Sequence, residues 1–296
     1  MKKPIFLSMI LLLSITLKAQ MDQTAQRFAA TITAEDLKNH LFKLTSAEFE
    51  GRETGTEGQR LAANYLASQM KSWNLPAIGE AGSYFQYITF TNQSWRKIEM
   101  KDADKELRHL WDYYAYPGTN PKQFDGNFED AVFLGFGIDA PEYSDYKGVD
   151  VAGKLVVVYD GEPMHQDKSW VSGSSTPSEW ATDWRKKAKA AKANGAAALF
   201  IIDRKFKENV AEARKAILNS RNDMAKDEDP EANYAPNYFI TTDLAKSIFG
   251  KLVSKVTGAR DKIESKGKPR NVGFKCAVKM AAEKNYSQLK GSNVLG

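Results

Sequence analysis

Apolar positions recur along this chain with two periods, and the changes between them divide it. Residues 33–45 carry helical spacing: Leu37, Leu41 and Leu44 share one stripe, behind a Thr33/Asp36 pair at near capping-box spacing. His40 lies one residue off that stripe and takes no role. A second helix begins at Thr56-Glu57-Gly58-Gln59, again a capping box. Leu61, Ala62, Tyr65, Leu66, Gln69, Met70 and Trp73 outline its largely apolar face, and Pro76 closes it. The period then falls to two. Residues 83–91 read as a strand, with Phe85, Tyr87 and Thr89 on one side and Tyr84, Gln86 and Ile88 on the other.

From about residue 96 the texture changes. Lys97 to Leu110 is charged and weakly patterned, and Tyr113 to Gly118 reads as an aromatic loop. Strands are expected at Ala131–Phe136 and Lys154–Tyr159. Leu155-Val156-Val157-Val158 is apolar on both faces, as a buried strand requires. Thr176-Pro177-Ser178-Glu179 then offers a cap, an N1 proline and an N3 glutamate. Trp180, Trp184, Ala188 and Ala191 trace the buried face of the helix so opened, and Gly195 supplies its C-terminal cap. Ala196–Ile202 follows as an apolar strand. A helix over 207–219, a strand at 237–241 and a helix over 243–252 come next, with an acidic, solvated loop at Asn222–Glu231 between the first two. Residues 271–281 alternate once more, and a turn at Tyr286–Ser292 leads to a last strand start.

Composition narrows the function classes. The formal charge of +5 rests on 42 basic and 37 acidic residues. Three of the basic ones, Lys2, Lys3 and Lys18, flank an apolar run at Ile5–Leu17 that reads as a secretory signal with cleavage after Ala19. The mature balance is therefore near neutral and does not suggest nucleic-acid binding. The run is short for a bilayer span, and no other long one exists, so no stable membrane anchor is expected. Arg185, Lys186, Lys187, Lys189 and Lys192 stand among alanines and read as a solvated helix face. The single cysteine, Cys276, excludes an intrachain disulfide. It alternates with Val272, Phe274, Val278 and Met280, so it reads as a buried strand residue rather than a nucleophile.

Candidate chemistry is sparse. His165-Gln166-Asp167 is an H-x-D triplet whose side chains zinc would accept. The chain has three histidines, and the other two lie far from it in sequence, so no metal site is assigned there. The chain has no G-x-S-x-G elbow, no H-E-x-x-H and no phosphate-binding glycine loop. No catalytic, cofactor-binding or metal-ligating residue is assigned.

Two groups of residues nonetheless carry a resemblance. Phe49-Glu50-Gly51-Arg52, Gly55 and Gly58, then Ala62, Ala63 and Tyr65, then Tyr84-Phe85-Gln86, resemble the amino-terminal part of the secreted zinc aminopeptidases of metallopeptidase family 28. The three glycines are expected to allow backbone turns that other residues resist. Gly135-Phe136-Gly137, the run Tyr143–Val158, and Lys187, Ala188, Ala191 and Gly195–Ala198 resemble a protease-associated domain inserted in such an enzyme. Asn293-Val294-Leu295-Gly296 is similar to the strand that precedes the family's first zinc ligand.

The resemblance implies an α/β fold. It would comprise the amino-terminal part of a zinc-exopeptidase α/β sandwich plus the inserted α/β domain. The implied organisation is a signal peptide at 1–19, peptidase at 20–95, inserted domain at 96–268 with its core about 130–255, and a return to the peptidase at 269–296. It implies a secreted or periplasmic parent that binds two zinc ions, hydrolyses peptide or protein substrates and releases N-terminal residues. The zinc ligands would lie in a carboxyl-terminal peptidase region missing from this sequence, which leaves this chain an inactive fragment. The alternative is a stand-alone secreted protease-associated module that binds peptides or glycans.

Overall fold

The computed structural model describes residues 22–224 and 233–296. The expected leader at 1–19 lies outside the described residues, as does most of the expected acidic loop. By compactness the chain forms two units: residues up to Gln86 with Ser292–Gly296, and Tyr87–Gly291. No helix among the described residues is long and apolar enough to cross a membrane.

The first unit holds α1 (Gln23–Ala29), α2 (Ala34–Leu44) and α3 (Glu57–Ser72). Both arms of the Thr33/Asp36 capping box form, so α2 starts where the pattern places it. Its stripe is nevertheless left to solvent, with Leu37 and Leu41 about as exposed as a surface residue. Thr56 caps α3 by accepting the Gln59 N–H. Ala62, Ala63 and Ala67 form the buried face of α3, while Leu66 and Trp73 are exposed.

The second unit is built on one mixed sheet of nine strands among the described residues. They are β1 (Phe85–Asp102), β2 (Lys105–Leu107), β3 (Tyr113–Tyr114), β4 (Gln123–Phe133), β5 (Leu155–Tyr159), β6 (Ala198–Ile202), β7 (Asn219–Met224), β8 (Asn237–Ile240) and β9 (Val272–Val294). Their order is β7-β1-β9-β4-β5-β6-β8-β3, with β2 beside β1. The block β4-β5-β6-β8 is parallel, in register Ala131–Leu155–Ala198 and onward to Leu199–Asn237. The long strands β4 and β9 pair antiparallel, with a register shift between Lys275 and Val278.

Helices cover both faces of the parallel block. They are α4 (Glu179–Thr182), α5 (Arg185–Ala193), α6 (Phe206–Leu218), α7 (Thr242–Phe249) and α8 (Val253–Lys266). Strand alternation explains the two cores. Leu155, Val157, Phe200 and Ile202 point to α7 and α8, where Leu244, Phe249, Val256 and Ile263 meet them. Val156, Val158, Leu199 and Ile201 point to α5 and α6, where Ala188, Ala191, Phe206 and Val210 meet them. All of Leu155–Val158 is sealed from water. At about 1.5–3 kcal/mol for each such side chain, this strand contributes heavily to the unit's stability.

Several local expectations change. The weakly patterned stretch after residue 96 continues β1 and turns back as β2, pairing Met100 with Leu107. Its charges lie on exposed strand positions, which hid the period. The expected turn at Tyr286–Ser292 is extended strand within β9. Part of the expected loop at Asn222–Glu231 is the end of β7, paired with β1. The helix expected from Thr176 is two helices, α4 and α5, and its N-cap is Ser178, whose Oγ accepts the Trp180 N–H. α8 was not signalled, because only Val256, Ala259 and Ile263 are buried along its 14 residues. The basic run on α5 is not uniformly solvated: Lys187 is fully buried.

Candidate functional site

In open α/β sheets the carboxyl ends of the parallel strands are where loops converge and ligands bind. Here those ends carry most of the unit's buried charges: Asp145, Glu162, Lys187 and Asp203. After β4 comes Gly135-Phe136-Gly137, with both glycines at positive φ. After β5 comes Asp160-Gly161-Glu162, and after β6 comes Asp203-Arg204.

Lys187 reaches this edge from α5. It donates to the Phe136 carbonyl and, at 2.7 Å, to that of Gly161. Asp145 accepts the N–H groups of Phe136 and Ile138 at 3.1 Å each, and the Tyr143 hydroxyl at 3.1 Å. Burial pushes the Asp145 carboxyl up to about 6 against those donors. Burial also pushes the Lys187 ammonium down to about 8, opposed by Asp145, Asp160 and Glu162. Glu162 is occupied by Ser178, accepting its N–H at 2.7 Å and its hydroxyl at 2.6 Å. Asp160 pairs with Arg204 at 2.8 Å, and Arg260 lies 4.7 Å from the centre of the Tyr159 ring.

A second network tethers the neighbouring strand end. Asp203 accepts the Tyr114 hydroxyl at 2.8 Å, the Lys205 N–H at 2.8 Å and the Asn209 amide. A third joins β9 to the loop after β3. Lys284 donates to Gln93 Oε1 at 2.7 Å, to the Pro117 carbonyl at 2.8 Å and to that of Asn120. Asn120 and Asn237 in turn exchange hydrogen bonds: Asn237 N–H donates to Asn120 Oδ1 at 2.9 Å, and Asn120 Nδ2 to the Asn237 carbonyl at 3.0 Å. These groups are spent on holding backbone. The expected solvated helix face put Lys187 in water, since a lysine among alanines carries no sign of burial. The signal available was position: Lys187 precedes Ala188 and Ala191 on the helix face that the pattern already marked as buried.

The structure separates the residues that the sequence singled out. Gln166 and Asp167, both at positive φ, form an exposed two-residue turn between Met164–His165 and Lys168–Ser169. His165 stacks on Trp170, with ring centres 5.8 Å apart, and the Trp170 indole donates to the Glu264 carbonyl at 2.9 Å. The His40 Nδ1 and the Tyr65 hydroxyl share a hydrogen bond of 2.6 Å. Burial pushes His109 down to about 4, with Arg214 adding to the effect, so it is neutral at pH 7. Among the described residues no three of His, Cys, Asp and Glu converge as a metal-ligand group. The described residues do not fit a zinc site.

Cys276 donates its Sγ–H to the Phe128 carbonyl at 3.3 Å, and burial pushes its thiol up to about 11. Because the thiolate is the reactive form, native Cys276 is expected to label with iodoacetamide at pH 7.5 more than tenfold slower than after urea unfolding. Equal rates in the two states would show that the strand does not shield it.

No family model matches the chain, and no curated protein matches it. Among solved structures it is similar to an aminopeptidase from Aneurinibacillus sp. strain AM-1, with a TM-score of 0.41 and 14% identity, over 88% of this chain and 47% of that one. It is also similar to the peptidase M28 precursor from Shewanella amazonensis SB2B, with a TM-score of 0.33 and 11% identity, over 87% of this chain and 52% of that one. The chain spans about half the length of the solved structures it matches.

Proposed function

We propose that this chain is the non-catalytic amino-terminal part of a secreted zinc-dependent aminopeptidase, acting on peptide or protein substrates. The observation that carries the reading is local to the first unit. Three separate stretches bear the peptidase resemblance: 49–65, 84–86 and 293–296. They come together in space. Gln59 Nε2 donates to the Ser292 carbonyl at 3.1 Å, Leu295 N–H to the Tyr84 carbonyl at 2.8 Å, and Asn293 Nδ2 to Gln86 Oε1 at 3.0 Å. Motifs that were only ordered along the chain are therefore parts of one packed unit, as pieces of one peptidase framework must be.

On this reading residues 130–255 are the core of an inserted protease-associated domain, which shapes access to substrate. The two zinc ions and their ligands belong to peptidase sequence other than that described, and the hydrolytic step is assigned to no residue of this chain. The leader at 1–19 directs the protein across the membrane. A panel of amino-acid anilides with added zinc tests the proposal. The chain is expected to do no better than buffer and to hold no stoichiometric zinc after dialysis. The same chain extended through downstream coding sequence is expected to hydrolyse at least one anilide. Chelator-sensitive turnover by the short chain, with zinc lost on His165→Ala, would sink it.

A further inference from the structure

Lys187 and Asp145 hold the same turn from opposite sides. The ammonium takes the carbonyl of Phe136, and the carboxylate takes the N–H of Phe136 and of Ile138. The two charges are thus joined through the backbone of residue 136. The turn supplies some hold of its own, a Gly137 N–H to Leu134 carbonyl bond of 2.9 Å and an Asp145 N–H to Ile138 carbonyl bond of 2.8 Å. Gly135 is pressed between Asp145 and Ile263 of α8: an added Cβ would lie 2.6 Å from Asp145 Oδ1 and 3.1 Å from Ile263 Cδ1. Nothing larger than glycine fits while the carboxylate is in place.

We propose that Asp145 and Lys187 form a catch on the Leu134–Ile138 turn, one that acid tightens and that opens most readily near neutral pH.

The charged and titratable groups around the pair come from every neighbouring segment. Tyr143 donates to Asp145, and Tyr146 lies in the field of both Asp145 and Asp139. Asp160 and Glu162 lie in the field of Lys187, each tied to its own partner, Arg204 and Ser178. α8 contributes the apolar Ile263. Within this surround, burial leaves Asp145 near 6 against an ordinary 3.8, and Lys187 near 8 against an ordinary 10.5. In an opened turn both groups meet water and regain ordinary values. The closed turn therefore binds the Asp145 proton more tightly than the open one, so lowering the pH through 6 towards 4 favours closure. The closed turn also releases the Lys187 proton more readily, so raising the pH above 8 favours closure as well. Between those limits both groups carry charge where burial opposes it, and opening costs least.

Hydrogen exchange of the full chain, read by NMR at pH 7 and pH 5 and corrected for intrinsic rates, tests the catch at the Phe136 and Ile138 amides. Their protection is expected to rise about tenfold on acidification, while Val156–Val158 amides in β5 keep theirs. Asp145→Asn is expected to abolish the rise, since its amide still accepts hydrogen bonds but does not titrate. Should that variant fail to fold, the wild-type Asp145 carboxyl carbon decides: titration near 6 supports the catch, and titration below 4 overturns it. Flat or falling protection at Phe136, an equal rise throughout β5, or an unchanged response in Asp145→Asn would each overturn it too.

Discussion

Replacing Lys187 by methionine is expected to destabilise the second unit by about 2–5 kcal/mol, the cost of leaving two backbone carbonyls without their donor beside a buried carboxylate. Methionine matches the length of the lysine stem. It does not replace the donor. The buried Phe136 carbonyl and the half-buried Gly161 carbonyl lose their donor, and Asp145 keeps its carboxylate without the Lys187 charge. Lys186→Met is the control on the same helix. Its ammonium pairs with Glu179 at the surface, and such a change is expected to fall within about 0.5 kcal/mol. The double variant Lys187→Met/Asp145→Asn is expected to lose less than the two single losses added, because each removes part of the penalty left by the other. Urea unfolding followed by tryptophan fluorescence reads all four chains, since Trp184 stacks on Tyr116 at 5.4 Å beside α5. A Lys187→Met midpoint within error of Lys186→Met would show that Lys187 is solvated in solution.

The difference between those two neighbouring lysines marks where sequence stopped being informative. Period-two and period-3.6 patterns report a whole face, and they placed α2, α3, β5, β6 and α6 closely. They cannot report one charged residue turned inward on a helix with four more cations, because its burial depends on loops after β4 and β5 whose contacting residues lie 51 and 26 positions away. The same limit hid how far the strands expected at 83–91 and 271–281 extend. β1 and β9 are long and partly exposed, and their lysines and glutamates sit at strand positions where only a paired neighbour reveals the period. Cap chemistry was legible where it was local, at Thr33 and Thr56. It misled at Thr176, because Glu162 draws the Ser178 N–H and hydroxyl and fixes the helix start two residues later. As for the candidate site, the stretches at 49–65, 84–86 and 293–296 are each visible as local motifs and their meeting in one unit is not, since residues 59 and 292 are linked by a single side-chain amide.

Gly58→Ala is expected to destabilise the first unit by about 1–3 kcal/mol, against the usual sign for a glycine inside a helix. At most helical positions alanine gains up to about 1 kcal/mol over glycine. Here the added Cβ would stand 2.1 Å from the carbonyl oxygen of Phe49 and 2.8 Å from its carbonyl carbon. Both are backbone atoms, so the clash cannot be relieved by a rotamer change. Phe49 cannot withdraw cheaply either. It is buried, and its ring packs edge-on against Tyr65, which shares the hydrogen bond with His40. The three glycines of the motif, alike in sequence, thus differ in physical demand. Gly55 has a φ of 82°, which favours glycine through backbone conformation. Gly58 is required by close approach. Gly51 has open space where a Cβ would go, so Gly51→Ala is expected to be near neutral. Hydrogen exchange across residues 57–72 separates the cases. Gly58→Ala is expected to speed exchange there at least about fivefold, the lower end of that energy range. Gly51→Ala is expected to leave it unchanged. Equal exchange in Gly58→Ala and wild type would show that Phe49 does not lie against α3.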